Sequence, residues 1–302
     1  MSEIRFDDRV AVITGAGGGL GRTYALEFAR RGAKVVVNDL GGASDGSGAG
    51  TSMADQVVKE INEAGGTAVS NYDSVATPEG GEAIIQTALD NFGQVDIVVN
   101  NAGILRDRSF AKLSKDELEL VLDVHLKGGF FVSQPAFRAM KDRSYGRFIF
   151  TSSAAGIFGN FGQTNYGAAK MGLVGLSNVI AVEGAKNNIQ SNVIAPIART
   201  RMTEDLLGPL AEHVKPDCVT PLTVFLCSEQ CDVTHSIYSV GGGRYARIFI
   251  GMGEGWFNGV GQPATVEEIE ANWDAIHSEQ GYVVPDSIAE EMKALLAAFK
   301  GD

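Results

Sequence analysis

Tyr166 and Lys170 stand four residues apart in Gln163-Thr164-Asn165-Tyr166-Gly167-Ala168-Ala169-Lys170. Four residues is about one helical turn, so on a helix both side chains lie on one face and can approach closely. A free tyrosine hydroxyl titrates near ~10 and exchanges protons poorly at neutral pH. An ammonium within ~4–6 Å favours the phenolate and lowers that value. Thr164 reads as the helix N-cap, which puts Tyr166 in the first turn, where the helix dipole also favours negative charge. A fall of ~3 units corresponds to about 4 kcal/mol of differential stabilisation of the anion. The chemistry expected is general acid/base work at an alcohol or a carbonyl. Chance Tyr-x-x-x-Lys pairs are common, so the neighbours decide.

Thr14-Gly15-Ala16-Gly17-Gly18-Gly19-Leu20-Gly21 joins an apolar run at 9–14 to an amphipathic stretch beginning near Leu20. Glycines at such a junction let the backbone turn sharply and approach a pyrophosphate, which the positive helix N-terminus holds. The spacing is Gly-x-x-x-Gly-x-Gly at Gly15, Gly19 and Gly21, because Arg22 stands where G-x-G-x-x-G needs its last glycine. Asp39 follows a second apolar run, Lys34–Asn38, eighteen residues past Gly21. An acidic side chain there hydrogen-bonds an adenosine ribose and repels a 2′-phosphate, so NAD is expected in preference to NADP. Asp73, after a third strand, is read as reaching the adenine or as a plain surface turn.

These residues need a scaffold, and the pattern supplies one. Further apolar runs stand at Asp96–Asn100, Arg147–Thr151, Gln190–Ala195 and Ser236–Val240. Helix-length segments at 20–31, 51–64, 78–92, 114–141, 164–187 and 219–228 lie between the runs. Short apolar strands alternating with helices predict an α/β fold: one doubly wound, Rossmann-type parallel sheet with helices on both faces. Residues 1–243 form this domain. Residues 244–302 read as a C-terminal extension, too small for an independent core, packed on the domain or on a partner subunit. Helices are expected there at 265–278, headed by Thr265, and at 286–299; Tyr245, Phe249, Trp256 and Phe257 could cover a cleft or a partner, or simply pack. Gly41–Gly50, rich in glycine and serine, reads as a mobile loop.

Composition bounds the partners. A net charge of −12 argues against nucleic acid and against an anionic membrane surface. No run of eighteen apolar residues occurs, so no membrane-spanning helix is expected. The opening Met-Ser-Glu-Ile-Arg-Phe-Asp-Asp lacks a secretory layout, and the closing Phe-Lys-Gly-Asp is no peroxisomal Ser-Lys-Leu address. Cys218, Cys227 and Cys231, without a histidine cluster, read as reduced thiols rather than a metal site. The expected compartment is cytoplasmic.

Thr-Gly-x-x-x-Gly-x-Gly at 14–21, Asn100-Asn101-Ala102-Gly103, Ser153 and Tyr166-x-x-x-Lys170 stand in an order that resembles the short-chain dehydrogenase/reductase family over roughly residues 5–243. Ser153 precedes Tyr166 by thirteen residues, the family interval, which selects it over Ser152. Finer stretches, among them Val36–Gly42, Asn71–Val75, Asn101–Phe110, Phe158–Gln163 and Arg201-Met202-Thr203, look like one subfamily. It is the (3R)-hydroxyacyl-CoA dehydrogenase part of peroxisomal multifunctional enzymes of type 2, also called 17β-hydroxysteroid dehydrogenase type 4, expected here to stand alone.

The resemblance implies that Tyr166 is base in oxidation and acid in reduction. Lys170 would lower its pKa and hold the nicotinamide ribose, while Ser153 would hydrogen-bond the substrate oxygen. It also implies cofactor contacts from Leu20, Ser74, Asn101, Ala102 and Gly103, with Gly103 allowing close backbone approach. Two departures stand out. Val124-His125-Leu126 replaces the family's Val-Asn-Leu, so His125 could act through its backbone carbonyl, through its imidazole, or only by packing. Pro196-Ile197 replaces Pro-Gly, and the run to Thr200 is one residue shorter than common, so Pro196, Ile197 and Thr200 are carried over as nicotinamide contacts of a shifted loop.

The substrate reading is NAD-dependent oxidation of a (3R)-hydroxyacyl-CoA to the 3-oxoacyl-CoA. Arg106, Arg108, Lys112, Arg199 and Arg201 lie on loops at the carboxyl edge of the sheet, where they either meet coenzyme A phosphates or face solvent. The alternatives are a 17β-type hydroxysteroid or sterol-derived acyl-CoA dehydrogenase, an acyl-carrier-protein ketoreductase disfavoured by Asp39, and a non-catalytic NAD-binding regulator. By resemblance, helices 114–141 and 164–187 pair with their copies in a homodimer.

Overall fold

Runs of β-branched residues are fully buried only when both faces of their sheet are covered. The computed structural model, which describes residues 3–200 and 208–300, turns the runs into strands. They are β1 (Val10–Thr14), β2 (Lys34–Asn38), β3 (Thr67–Asn71), β4 (Ile97–Asn100), β5 (Gly146–Thr151), β6 (Ile189–Pro196) and β7 (Ser236–Gly241). Every residue of β1, β4 and β5 is buried. The seven pair in parallel in the order β3-β2-β1-β4-β5-β6-β7. An eighth strand, β8 (Arg244–Ile248), was not anticipated. It joins the β7 edge after a two-residue turn, Gly242-Gly243, with both residues at positive φ as a tight hairpin requires.

Two helical layers cover the sheet. α1 (Gly19–Arg30) packs with α2 (Ser52–Glu63) and with α8 (Thr220–Leu226). On the other layer α3 (Pro78–Phe92) meets α5 (Gly128–Arg143), which meets α7 (Thr164–Gly184). Thr77 caps α3 through Gly80 N, with Pro78 at the first helical position, and Ser114 with Glu117 forms a capping box on α4 (Lys115–Leu122). The sheet order reverses at β1, which lies between β2 and β4, so the ligand crevice opens at their carboxyl ends. Polar groups at the opposite edge are consumed structurally. Buried Asp96 accepts from Val10 N, Arg9 and Gln94, and the Arg9 guanidinium lies 3.6 Å from the Tyr145 ring centroid.

Several expectations change. The helix expected at 114–141 is interrupted by a π turn, Asp123–Lys127, with His125 at its centre. Gln163, not Thr164, is the N-cap of α7, and it makes no side-chain capping bond; Tyr166 remains in the first turn. A short helix, α6 (Ala154–Ile157), follows Ser153, whose hydroxyl accepts from Ala155 N. Residues 41–50 are tied down: Gly50 N donates to Leu40 O, Leu105 N to Ser44 O at 3.0 Å, and Arg106 Nε to Asp45 O at 2.7 Å. Arg201, Met202 and Thr203 lie outside the described residues.

The chain divides into two compact units, 1–247 and 248–302. The second contains α9 (Val266–Ala271), α10 (Trp273–Ile276) and α11 (Ile288–Lys300). Thr265 caps α9 with Glu268 in a capping box. Met252 bridges Val283, Phe249 stacks on Tyr282 with centroids 5.6 Å apart, and Phe257 meets Phe299 at 5.7 Å. Among the described residues no helix is long and apolar enough to cross a membrane.

Candidate active site

The carboxyl ends of β1, β2, β4, β5 and β6 surround a cavity of about 340 Å³. Its glycine-rich end is built from β1 outward. Buried Thr14 ends that strand, and its Oγ1 accepts from the amides of Asn101 and Ala102, each at 3.0 Å. Asn101 Nδ2 donates back to Thr14 O and Gly15 O, so the loops after β1 and β4 are locked together. Gly15 has φ +63°, and a Cβ there would lie 2.8 Å from Ala102 Cα. A Cβ on Gly21 would strike the Gly15 carbonyl. Gly21 is buried away from the cavity, while Gly15, Gly18, Gly19 and Leu20 line it. The first turn of α1 has no side-chain cap, which leaves its amides to serve an anion.

Asp39 stands at the adjoining wall. Its Oδ2 accepts from Gly17 N at 2.8 Å and its Oδ1 from Gly41 N at 2.7 Å. The carboxylate is thereby fixed, and each oxygen keeps lone pairs for a diol. Asp73 and Ser74 line the same end. Asp73 is set by two asparagines that the sequence reading passed over: Asn71 Nδ2 donates to its carboxylate, and Asn38 Nδ2 to its carbonyl. Gly42, Ala43, Ser44 and Gly46 of the tied segment form another wall. A glycine-serine run gives no sign of such docking, because its partners lie about sixty residues away in sequence.

Ser153, Tyr166 and Lys170 line the other end together, with Thr151, Ser152 and His125. Lys170 is 3% exposed; its Nζ donates to Thr151 O at 2.6 Å and lies 5.4 Å from the Tyr166 ring centroid. Ser152 is committed elsewhere, since its hydroxyl donates to Lys170 O at 2.7 Å. Burial pushes Tyr166 up to about 12, opposed by a hydrogen bond from Ser153 and reinforced by the Asp107 carboxylate. Burial also brings Lys170 down to about 7. Burial thus works against both the phenolate and the ammonium, since each charged form loses hydration.

His125 is buried through its imidazole. Nε2 lies within reach of the Ile104 amide (3.1 Å) and carbonyl (2.8 Å), and the ring meets Tyr166 edge-on with centroids 5.2 Å apart. Nδ1 is buried without a hydrogen-bond partner among the described residues. Burial and the nearby Lys170 charge hold the imidazole well below its usual pKa, hence neutral. A Cβ on Gly103 would collide with the His125 ring, so that glycine answers to the histidine. Gly103 also lines the cavity, beside Asn101 and Ala102.

Pro196, Ala198 and Thr200 line the cavity from the loop after β6. Ile197 is not among the lining residues: its amide pairs with Val240 O and its side chain is 41% exposed. Arg106 and Arg108, read as possible phosphate contacts, are engaged within the chain. Arg106 holds Asp45 and Arg108 pairs with Glu117 at 3.0 Å.

The chain is similar to known proteins over most of its length. The sequence profile of the short chain dehydrogenase family matches residues 9–208. A short-chain type dehydrogenase/reductase of Mycobacterium tuberculosis is 54% identical over 275 residues, covering 91% of this chain and 96% of that protein. The peroxisomal hydratase-dehydrogenase-epimerase of Saccharomyces cerevisiae is 52% identical over 275 residues, 90% of this chain but 30% of the yeast protein. The structure of full-length peroxisomal multifunctional enzyme type 2 from Drosophila melanogaster superimposes with a TM-score of 0.82 at 42% identity. That match covers 99% of this chain and 50% of the fly enzyme, so this chain spans about half of it.

Proposed function

The chain belongs to the short-chain dehydrogenase family, and from that premise we propose that it interconverts (3R)-hydroxyacyl-CoA and 3-oxoacyl-CoA with NAD. The observation that carries the reaction type is the meeting of Ser153, Tyr166 and Lys170 at one end of a cavity whose other end presents Asp39. The residues fit a dinucleotide: a backbone cradle that a Cβ on Gly15 would fill, uncapped helix amides, and a carboxylate held by two main-chain amides. NAD, when bound, supplies the hydride acceptor. Gly15, Gly19 and Leu20 would face its pyrophosphate, Asp39 the adenosine ribose, and Asp73 with Ser74 the adenine. Asn101, Ala102, Pro196 and Thr200 would flank the nicotinamide half.

Tyr166 takes the alcohol proton in oxidation and returns it in reduction, within reach of Ser153, which steadies the substrate oxygen as charge develops. Lys170 supports the phenolate only when charged. His125 stays neutral and braces the Tyr166 ring and the Ile104 backbone. The acyl-CoA substrate is supported by the near-complete coverage of this chain by dehydrogenase-bearing relatives. A homodimer is supported by exposed apolar side chains on α5 and α7, namely Phe130, Val179 and Val182. The free thiols support a reducing compartment such as the cytoplasm; the peroxisomal designation of relatives makes the peroxisome the alternative, which fractionation decides.

Steady-state rates with matched (3R)- and (3S)-3-hydroxydecanoyl-CoA and 17β-oestradiol, each with NAD and NADP, test the proposal. The (3R) ester with NAD should give the highest kcat/KM, and Tyr166→Phe should lower its kcat by roughly 10²–10⁴-fold. Preference for the steroid would reverse the substrate assignment, and equal use of NADP would overturn the role of Asp39.

A further inference from the structure

Asn165, immediately before Tyr166, is 0% exposed. A buried amide is costly unless its donors and its acceptor are met. Asn165 meets them with main-chain groups from three separate segments. Its Nδ2 donates to Arg106 O at 3.0 Å, in the loop after β4, and to Glu117 O at 3.1 Å, in α4. Its Oδ1 accepts from Tyr166 N at 2.8 Å. Both amide hydrogens and the carbonyl are therefore used.

The location gives this network its meaning. α7 begins without a side-chain cap. The first turn of a helix has amides with no intrahelical partner and frays most readily. Farther along, α7 is anchored by Lys170, Leu173, Val174 and Ile180, all buried. The first turn has instead the Asn165 clasp, with two flanking ties: Gln163 Nε2 to Asp107 at 2.8 Å and Arg108 N to Gly162 O at 2.7 Å. Arg106 faces both ways. Its carbonyl receives Asn165, and its guanidinium holds the Asp45 carbonyl in the segment that walls the cavity.

We infer that Asn165 is a positioning residue of the reaction: it holds the first turn of α7, and with it the Tyr166 phenol, in register with the cavity wall. The inference rests on the reading of Tyr166 as the proton-transfer group. Asn165→Ala removes all three bonds. Asn165→Asp keeps the size and the acceptor but sets oxygen against the carbonyls of Arg106 and Glu117.

The test measures kcat and KM with NAD and whichever of (3R)-3-hydroxydecanoyl-CoA or 17β-oestradiol the wild type oxidises, alongside NADH titration and thermal melting. In both variants kcat should fall roughly 10–100-fold, the effect of a small misplacement of a reacting group. The NADH Kd and the KM of the alcohol should stay within about threefold, since no group that holds either is removed. Retention of kcat within twofold in either variant overturns the inference. Loss of folding or of NADH binding in both also overturns it, by assigning Asn165 to the scaffold. A wild type that oxidises neither probe fails the functional reading itself and removes this inference with it.

Discussion

Lys170 is 3% exposed and its ammonium donates to a single backbone carbonyl, Thr151 O, among the described residues. The charged form therefore loses most of its hydration, and its pKa falls from 10.5 to about 7. Between those values the unfolded chain binds a proton that the folded chain does not, so this residue makes folding more favourable as pH rises. Below about 7 both states are charged, and the cost of burying the charge is at its greatest. Lys170→Met removes the titration while keeping the length. Relative to wild type, its stability should improve as pH is lowered from 10 to 7, by roughly 1 kcal/mol per unit, and then level off. Thermal melts of the pair across that range check this; a gap that does not change with pH would show that Lys170 keeps its proton throughout.

At the scale of elements, residues 41–50 have the largest consequence. They leave β2, cross the carboxyl end of β1 and dock on the loop after β4, over the point where the sheet order reverses. Arg106→Ala removes one charged hydrogen bond of that docking, and should weaken NADH binding by about 1 kcal/mol, roughly fivefold in Kd. Fluorescence titration reads this directly. A raised KM for the acyl-CoA with unchanged NADH affinity would return Arg106 to the phosphate-binding role that its position first suggests. The segment's docking was illegible in the sequence because its bonds run through main-chain groups, which carry no residue signature. The π turn at 123–127 was hidden for a related reason: its apolar spacing differs by a single residue from that of a continuous helix. Strands were legible, since Val/Ile runs bounded by glycine act locally, and so was the helix start at Thr265, a local cap; the N-cap of α7 lies one residue before the Thr164 expected. Ser153, Tyr166 and Lys170 could be picked out by interval, yet their protonation could not, because desolvation depends on what packs around them.

For the whole molecule, α7 poses the question that remains. One side is buried on the sheet through Ala169, Leu173, Val174, Ile180 and Ala181. The opposite side presents Met171, Gly175, Val179 and Val182 at spacings of four, four and three, one continuous stripe, with Met171, Val179 and Val182 38%, 54% and 56% exposed. A helix apolar on both sides calls for a second cover. A Cβ on Gly175 would meet nothing within 4 Å, which leaves room for another backbone to approach. A second copy presenting the same stripe about a two-fold axis satisfies both features, since an isologous contact needs only one self-complementary patch. Val182→Glu would set a carboxylate against its own copy near such an axis. Light scattering should then show a dimer for the wild type and a monomer for the variant at micromolar concentration. Because the same helix carries Tyr166 and Lys170 in its first two turns, kcat of the variant should also fall, and should rise again with protein concentration as the dimer re-forms. A wild type that is monomeric under these conditions would leave the stripe to some other partner and remove the dimer from the proposal.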